Sequence, residues 1–311
     1  MRRYDGLAGV TPDAFRRPVV CIGVFDGVHR GHRHVLEHLR ALADREGGEA
    51  VVITFDTHPR AILAHETPAP LLSLAHRLVL LERLGVDATV VLPFDEATRD
   101  TPYERFVEDV LVRRIGIRGL LFGYDTSFGV GGLGTFATVA PLAARLGFVV
   151  EEAPPISVRG RPISATRIRE AIERGDLAEA GELLGRPPAL YGTVVPGDGR
   201  GRTLGFPTAN VDLGGSLLPP AGVYQGVASL RGQRFAAVAN IGTRPTFPGA
   251  QPQRPLLEVH VPGIDFDFYG EPLELELIRK IRDEVRFPSR EALIAQIRRD
   301  VASLGPVDGL R

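Results

Sequence analysis

The sequence predicts two parts: an α/β half built on a parallel sheet, and a small antiparallel β-barrel that ends in a helix. Three observations support this prediction. Apolar runs alternate with helical stretches up to residue 151, short β runs between Gly/Pro turns fill 191–278, and segment 289–304 is amphipathic. Strand–helix alternation is typical of parallel sheets covered by helices, and closely spaced short strands are typical of small barrels.

In the α/β half, short apolar runs predict strands and stretches with helical spacing predict helices. The expected strands are 19–24, 50–55, 88–92, 120–122 and 148–151, and the expected helices are 32–46, 74–84, 102–115 and 139–146. Ligands of such sheets bind beyond the carboxyl ends of the strands. Functional residues are therefore expected in the segments that follow each strand.

A second set of elements follows residue 163. Helices are expected over 166–174 and 177–184, strands over 192–195, 222–230, 234–241, 256–261 and 273–278, and a last helix over 289–304. Ser289 suits the N-cap of that helix, and Glu291 lies in its first turn. Because Pro187 and Pro188 interrupt both patterns, we expect domains of 1–186 and 187–311.

Composition excludes several classes of function. The 311 residues carry a formal net charge of −1, so the chain lacks the basic field that drives nucleic-acid binding. Cys21 is the only cysteine, which excludes an intrachain disulfide and fits a reducing compartment. No apolar run approaches the length of a membrane span, and the polar N-terminus does not resemble a signal peptide. We expect a cytoplasmic protein that binds neither nucleic acid nor membrane.

The segment GVFDGVHRGH, 23–32, follows the first predicted strand directly and leads into a helix. Basic side chains in a first helical turn oppose the macrodipole unless the turn binds an anion, and free N–H groups at a helix start suit phosphate. Two imidazoles can also stabilise charge that grows on a polyphosphate during displacement. The residues expected to form this phosphate site are Gly23, Phe25, Asp26, Gly27, His29, Gly31 and His32. In the alternative interpretation, both histidines lie on the surface of an amphipathic helix.

A second helix start has the same character. Ser164 and Thr166 precede or open a predicted helix, and Arg167 and Arg169 lie in its first turn, which suits a phosphate clamp. Solvated arginines behind an N-cap are the alternative. His58 follows the second strand, where ligands collect, although taken alone it is more typical of a histidine in a turn.

The glycine-rich segment GRTLGFPTAN, 201–210, is not a P-loop, because the Gly-Lys-Ser/Thr ending is missing. Thr208 and Asn210 would face the same side of an extended chain and offer neutral oxygens that suit Mg²⁺ held mainly by substrate phosphates. A surface turn before a polar strand is the alternative. Glu258 stands among apolar neighbours, so it is either a solvent-facing residue of an edge strand or a base aimed into the barrel.

These motifs together resemble the bifunctional bacterial riboflavin kinase/FAD synthetase family over nearly the whole chain. The N-terminal half resembles Rossmann-like HxGH nucleotidyltransferases, and the C-terminal half resembles the riboflavin kinase type of barrel. The resemblance rests on the following segments: 23–32, 55–59, 84–87, 123–129, 164–169, 205–210, 222–224, 240–247, 258–260, 269–270 and 282–287.

For the N-terminal half, the resemblance implies transfer of AMP from ATP to FMN, with release of pyrophosphate. His29 and His32 would contact the ATP phosphates, while Ser164, Thr166, Arg167 and Arg169 would bind the triphosphate from the other side. His58 and Asp125 would lie near the flavin. Thr57, Thr126 and Ala165 depart from the residues usual in the family.

For the C-terminal half, the resemblance implies phosphorylation of riboflavin to FMN. Thr208 and Asn210 would hold Mg²⁺–ATP beside Gly201 and Gly205, Glu258 would deprotonate the ribityl hydroxyl, and Arg282 would border the flavin. Pro196 stands where the family often has His.

The leading hypothesis is therefore FAD synthesis in two steps, with ATP as co-substrate, Mg²⁺ as cofactor and riboflavin and FMN as partners. A kinase whose adenylyltransferase is weak or inactive is the closest alternative. RNA handling is a further alternative, since HxGH also occurs in aminoacyl-tRNA synthetases. A non-catalytic flavin-binding role is another. The sequence leaves open whether the chain forms a homo-oligomer.

Overall fold

The structure, a computed structural model, describes residues 1–11, 13–57, 69–197, 199–242, 256–264 and 268–306. The described residues form two compact units, each with its own hydrophobic core. One unit lies within Met1–Pro68 and Arg77–Ser164, and the other within Ala69–His76 and Ala165–Arg311. The limits 1–186 and 187–311 were predicted for the catalytic domains, whereas these two units are defined by compactness. The predicted domain limits therefore stay a prediction.

The first unit is built on a parallel six-stranded sheet, in the order β1-β4-β3-β2-β5-β6. Its strands are β1 (Arg2–Asp5), β2 (Val19–Ile22), β3 (Ala50–Phe55), β4 (Ala88–Leu92), β5 (Gly119–Phe122) and β6 (Val149–Glu152). Every residue of β2 to β5 is buried, as expected for strands covered on both faces. The chain passes from β2 to β3 on one side and later to β5 on the other, so β2 borders a topological switch point.

Helices connect these strands. The principal ones are α1 (Arg30–Glu46), α2 (Leu74–Arg83) and α3 (Phe136–Leu146), with short turns at Glu96–Arg99, Tyr103–Arg105 and Val130–Gly132 and a π-helix at Phe106–Ile115. In α1, Leu36, Leu39 and Leu42 are buried at spacings of three, so they form one stripe against the sheet. The helix ends at Gly47, whose φ of 64° suits a residue without a Cβ.

The second unit contains α4 (Ala165–Glu173), α5 (Leu177–Leu184) and a closed antiparallel barrel in the order β10-β13-β12-β11-β14-β9. The barrel strands are β9 (Ala189–Val195), β10 (Ala209–Asp212), β11 (Gly222–Leu230), β12 (Gln233–Gly242), β13 (Leu256–His260) and β14 (Pro272–Arg282). A terminal helix, α6 (Arg290–Ala302), is capped by the Ser289 hydroxyl, which accepts from the Ala292 N–H.

The predicted fold class is confirmed, and the differences concern individual elements. Strand β1 is short, polar and mostly exposed, and pairs with β4 through its backbone, so it leaves no apolar pattern in the sequence. The hairpin of β7 (Ser157–Val158) and β8 (Arg161–Pro162) was also not predicted, because each of its strands has only two residues. The helix predicted over 102–115 is mostly a π-helix. None of the helices in the described part of the chain combines the length and the apolar character that a bilayer span requires.

Candidate active sites

The first candidate site is the turn between β2 and α1. It follows the central strand at its carboxyl end, beside the switch point of the sheet, which is where ligands of such sheets bind. The helix begins at Arg30, two residues earlier than predicted, because His29 is its N-cap. The first turn of α1 contains no acidic residue, so its positive dipole end is not neutralised by its own side chains.

His29 has a defined hydrogen-bonding state. Its Nδ1 accepts the His32 N–H at 3.3 Å, so the neutral ring carries its proton on Nε2 and can donate from there. The two imidazole rings stack with centroids 3.7 Å apart and planes 14° apart. His29 is only 6% exposed, so the interpretation as a pair of surface histidines is wrong for this residue. His32 is half-buried and also touches the Phe25 ring.

The turn that joins β2 to α1 is strained and tightly packed. Phe25 and Val28 have φ angles of 53° and 40°, a region that residues with a Cβ rarely occupy. A Cβ on Gly31 would lie 3.1 Å from two atoms of the His29 ring, and a Cβ on Gly23 would lie 3.1 Å from the Phe25 ring. Such strain persists only where the surroundings fix the backbone, and it is concentrated at functional sites.

Neighbouring strands bring further predicted residues to the same edge of the sheet. Asp125 is exposed in the turn after β5, where the Thr126 hydroxyl accepts the Gly123 N–H at 3.2 Å. Since β5 pairs directly with β2, this turn and the His29 turn follow adjacent parallel strands. His58 lies outside the described residues.

The predicted arginine clamp belongs to α4, in the second unit, whereas Ser164 is the last residue of the first. Arg167 is buried and donates to the Glu179 carboxylate at 3.2 Å, and Arg169 is buried and donates to the Ala69 carbonyl at 3.0 Å. The interpretation of these two side chains as solvated is therefore wrong. Their role toward phosphate, and that of Thr166, stays a prediction.

The second candidate site is a row of polar side chains across three barrel strands. Glu258 on β13 is directly opposite Asn210 on β10 and Asn240 on β12. Its neighbours Leu257 and Val259 belong to the barrel core, so the row lies on the outer face of the barrel. Glu258 is half-buried. Strand β13 lies between two others, so Glu258 is neither on an edge strand nor aimed into the barrel, and both geometric expectations are wrong.

Asn210 has a feature that suits a metal ligand. It is 8% exposed, and its Oδ1 is buried with no hydrogen-bond partner among the described residues. Backbone closely surrounds this row, since a Cβ on Gly197 would lie 1.9 Å from the Asn210 amide nitrogen. A Cβ on Gly201 would lie 3.0 Å from the Thr208 hydroxyl. Neutral amide and hydroxyl oxygens in such a cradle fit Mg²⁺ that takes its other ligands from phosphates and water.

The glycine-rich segment folds into a compact loop around a short turn, Arg200–Thr203. The Phe206 N–H donates to the Gly201 carbonyl at 2.9 Å, and Gly205 has a φ of 83°. His260 fixes the end of this loop, because its Nδ1 lies 2.8 Å from the Pro207 carbonyl.

Arg282 closes β14 and is fixed by a buried carboxylate. Its guanidinium donates to Asp300 on α6 at 2.9 Å and lies over the Phe287 ring. The ion pair ties the end of the barrel strand to the terminal helix, and it leaves a fifth of the Arg282 side chain exposed.

Three side chains that support these sites were not predicted from the sequence. Asn240 and His260 lie within segments on which the family resemblance rests, but their partners depend on strand register. Arg77 on α2 is buried, and its guanidinium donates to the Val24 carbonyl below the first site. A lone arginine within an amphipathic helix gives no sequence signal for such a contact.

Comparisons with known proteins match both parts of the chain. A family model described as FAD synthetase covers residues 11–167, and one described as riboflavin kinase covers residues 184–305. A protein of Haemophilus influenzae named bifunctional riboflavin kinase/FMN adenylyltransferase is 39% identical, over 90% of this chain and 91% of its own. A protein of Escherichia coli with the same name is 39% identical over 96% of both chains. A solved structure from Streptococcus pneumoniae, titled macrolide-efflux protein, superposes with a TM-score of 0.80 at 29% identity, over 97% of this chain and 98% of its own.

Fold and sites together define a class: a parallel α/β unit with a histidine-capped turn after its central strand, joined in one chain to a barrel of the flavokinase type. The matches at this identity and coverage then give the family. The chain belongs to the bifunctional riboflavin kinase/FMN adenylyltransferase family.

Proposed function

We propose that this chain converts riboflavin to FMN and then FMN to FAD, each step with one ATP. The observation that carries the proposal is that one chain holds both sites: the His29–His32 turn on the parallel sheet and the Asn210–Glu258–Asn240 row on the barrel. Matches to both family models favour two activities over a kinase with an inactive second domain.

In the kinase step, the ribityl hydroxyl of riboflavin attacks the γ-phosphorus of ATP, and ADP leaves. An alcohol is a weak nucleophile at neutral pH, so Glu258 takes its proton as the new O–P bond forms. Thr208 and Asn210 would hold Mg²⁺, which supplies charge neutralisation on the phosphates when it is bound. Gly201 and Gly205 allow the loop to approach the nucleotide, and Arg282 borders the flavin.

In the adenylyl step, a phosphate oxygen of FMN attacks the α-phosphorus of ATP, and pyrophosphate leaves. This nucleophile is already ionised, so no base is needed. His29 donates from Nε2 to the phosphate oxygens, and His32 stacks on it and stabilises the same charge. The backbone of Gly23, Phe25, Asp26, Gly27 and Gly31 shapes the turn, and Asp125 lies on the flavin side.

Several finer assignments stay predictions. These are the phosphate contacts of Ser164, Thr166, Arg167 and Arg169, the flavin contact of His58, the domain limits 1–186 and 187–311, a cytoplasmic location, and the absence of nucleic-acid partners.

The test is to incubate the pure protein with riboflavin, ATP and Mg²⁺ and to separate the flavins by chromatography over time. We expect FMN to appear first and FAD to follow. A second reaction that starts from FMN isolates the adenylyl step. Accumulation of FMN without FAD in both reactions would reduce the proposal to the kinase alone, and no product in either would overturn it.

A further inference from the structure

Arg77 is a buried cation that lies below the first site and bonds both backbone and side-chain oxygens there. It is 6% exposed, and one guanidinium nitrogen donates to the Val24 carbonyl at 2.6 Å and to the Thr54 hydroxyl at 2.9 Å. The Thr54 hydroxyl itself donates to the Val24 carbonyl at 3.3 Å. Arg77 Nε has no hydrogen-bond partner among the described residues, so these two contacts carry the anchoring.

Val24 is the last residue before the strained turn. The next residue, Phe25, has a φ of 53°, and the turn ends at His29, the N-cap of α1. A carbonyl that is held by two donors fixes the plane of the peptide that follows, and this is the peptide from which the turn departs. Because strained backbone needs surroundings that fix it, Arg77 and Thr54 are the groups that hold this end of the turn.

A cation at this position is costly unless its surroundings compensate for lost hydration. Burial lowers the pKa of the Arg77 guanidinium, and the negative charges of Asp26 and Asp56 oppose that shift. Asp26 is within the turn, and Asp56 follows β3 and accepts the Phe94 N–H at 3.2 Å. The guanidinium therefore lies among the segments that follow β2 and β3, and the carboxylates that compensate it belong to those segments.

We propose that Arg77 is a positioning residue for adenylyl transfer: by holding the Val24 carbonyl together with Thr54, it sets the geometry of the turn that presents His29 to ATP. Arg77 itself does not touch substrate. This inference rests on the proposed adenylyl activity of the turn, and it assigns to α2 a part in that step.

The experiment compares Arg77→Lys, Arg77→Met and Thr54→Val with the unaltered protein. A lysine carries one compact ammonium in place of the guanidinium fork, and methionine keeps the apolar stem but no donor. Misalignment of catalytic groups lowers kcat more than it raises the KM for ATP. We expect kcat for FMN-to-FAD conversion to fall about 10-fold in Arg77→Lys, about 100-fold in Arg77→Met and about 3-fold in Thr54→Val. The KM for ATP should change less than about 3-fold.

The kinase activity of the same chain is the internal control, because its proposed residues lie on the barrel. Arg83→Met, at the exposed end of the same helix, is the matched variant and should leave both activities unchanged. Should Arg77→Met fail to fold, Arg77→Lys and Thr54→Val still test whether Arg77 positions the turn. Their double variant should lose less than the product of the single losses, because both act through one carbonyl.

A purely structural role would lower the amount of folded protein and leave kcat per folded site unchanged, which would overturn the inference. Unaltered kcat in both Arg77→Lys and Thr54→Val would overturn it too. These outcomes differ from failure of the proposed function, in which the unaltered protein itself would make no FAD from FMN.

Discussion

The His29–His32 turn of the α/β unit and the polar row of the barrel are built in different ways from different parts of the chain. In the turn, the start of a helix and two stacked imidazoles come from one continuous segment of the chain. In the row, side chains from three strands set an acid between two amides. We relate this difference to the two proposed nucleophiles: a phosphate arrives ionised, whereas an alcohol must lose a proton.

The largest effect is expected from Glu258→Gln, which keeps the shape of the side chain but removes the base. General bases contribute about 100- to 10,000-fold, so kcat for FMN formation should fall about 1,000-fold. FMN-to-FAD conversion should stay within about 2-fold. Both rates are measured by flavin chromatography.

Glu271→Gln is the matched control, because Glu271 forms a partly exposed ion pair with Arg231 in a turn of the same unit. It should alter neither rate. If Glu258→Gln phosphorylated riboflavin at the normal rate, the row would not be the kinase site.

The second largest effect is expected from His29→Asn. Asparagine is a good N-cap and can accept the His32 N–H, so the helix start is kept while the imidazole donor is lost. Removal of one donor to a developing charge costs about 100- to 1,000-fold, so FAD formation from FMN should fall about 100-fold. Riboflavin phosphorylation should be unaffected.

His38→Ala serves as the control on the same helix, since the His38 Nδ1 lies 2.9 Å from the His34 carbonyl one turn earlier. A matching loss in both variants would mean that the helix, rather than the His29 imidazole, limits the reaction.

Asn210→Ala should have an intermediate effect, because it removes one neutral oxygen from the proposed Mg²⁺ site, whose other ligands would come mostly from phosphates. We expect the Mg²⁺ concentration for half-maximal kinase rate to rise about 10-fold, with partial recovery in Asn210→Asp. The buried Oδ1 is the reason to expect an effect at all, because it has no hydrogen-bond partner in the part of the chain that the structure describes. An unchanged Mg²⁺ dependence in Asn210→Ala would remove this residue from the site.

The two regions also differ in how much of them the sequence could predict. The turn is one continuous segment, so its glycines, its histidines and its place after a strand could all be read locally. Two boundaries were wrong by two residues each: the strand ends at Ile22 rather than at residue 24, and the helix begins at Arg30 rather than at residue 32. The helix begins early because an imidazole takes the capping position that Ser, Thr, Asp and Asn usually hold. The buried contact of Arg77 with Val24 joins residues 53 positions apart and has no local signal.

The barrel row is assembled from three strands. Asn210 and Glu258 could be predicted from the sequence as site residues, but their position beside each other could not. Alternation along the strand already places Glu258 on the other face from Leu257 and Val259. Which of the two faces meets the substrate depends on closure of the barrel. Register alone makes Asn210 and Asn240 its neighbours. Strand β10 itself was missed, because its four residues follow a Gly/Pro loop and include two polar side chains.

Gly31→Ala is expected to have a smaller effect than the loss of His29. The added Cβ would lie 3.1 Å from the His29 ring, so the ring must shift by a few tenths of an ångström. We expect FAD formation to fall about 10-fold through this misalignment, with the kinase rate unchanged. Gly181→Ala in α5 is the matched helical control, because its Cβ would meet its nearest neighbour at an ordinary 3.6 Å. Equal losses in the two variants would argue against tight packing of His29.

The smallest effect is expected at Cys21, in the strand that leads to the turn. The thiol is 1% exposed, and burial raises its pKa, so the reactive thiolate is scarce at neutral pH. Alkylation of Cys21 is followed by mass spectrometry. The native protein should stay unmodified for hours, and the unfolded protein should react within minutes. Cys21→Ala should change both rates less than about 2-fold while lowering the free energy of unfolding by about 1 kcal/mol. Rapid alkylation of the native protein with loss of FAD formation alone would show that the strand below the turn opens, which would contradict the burial of Cys21.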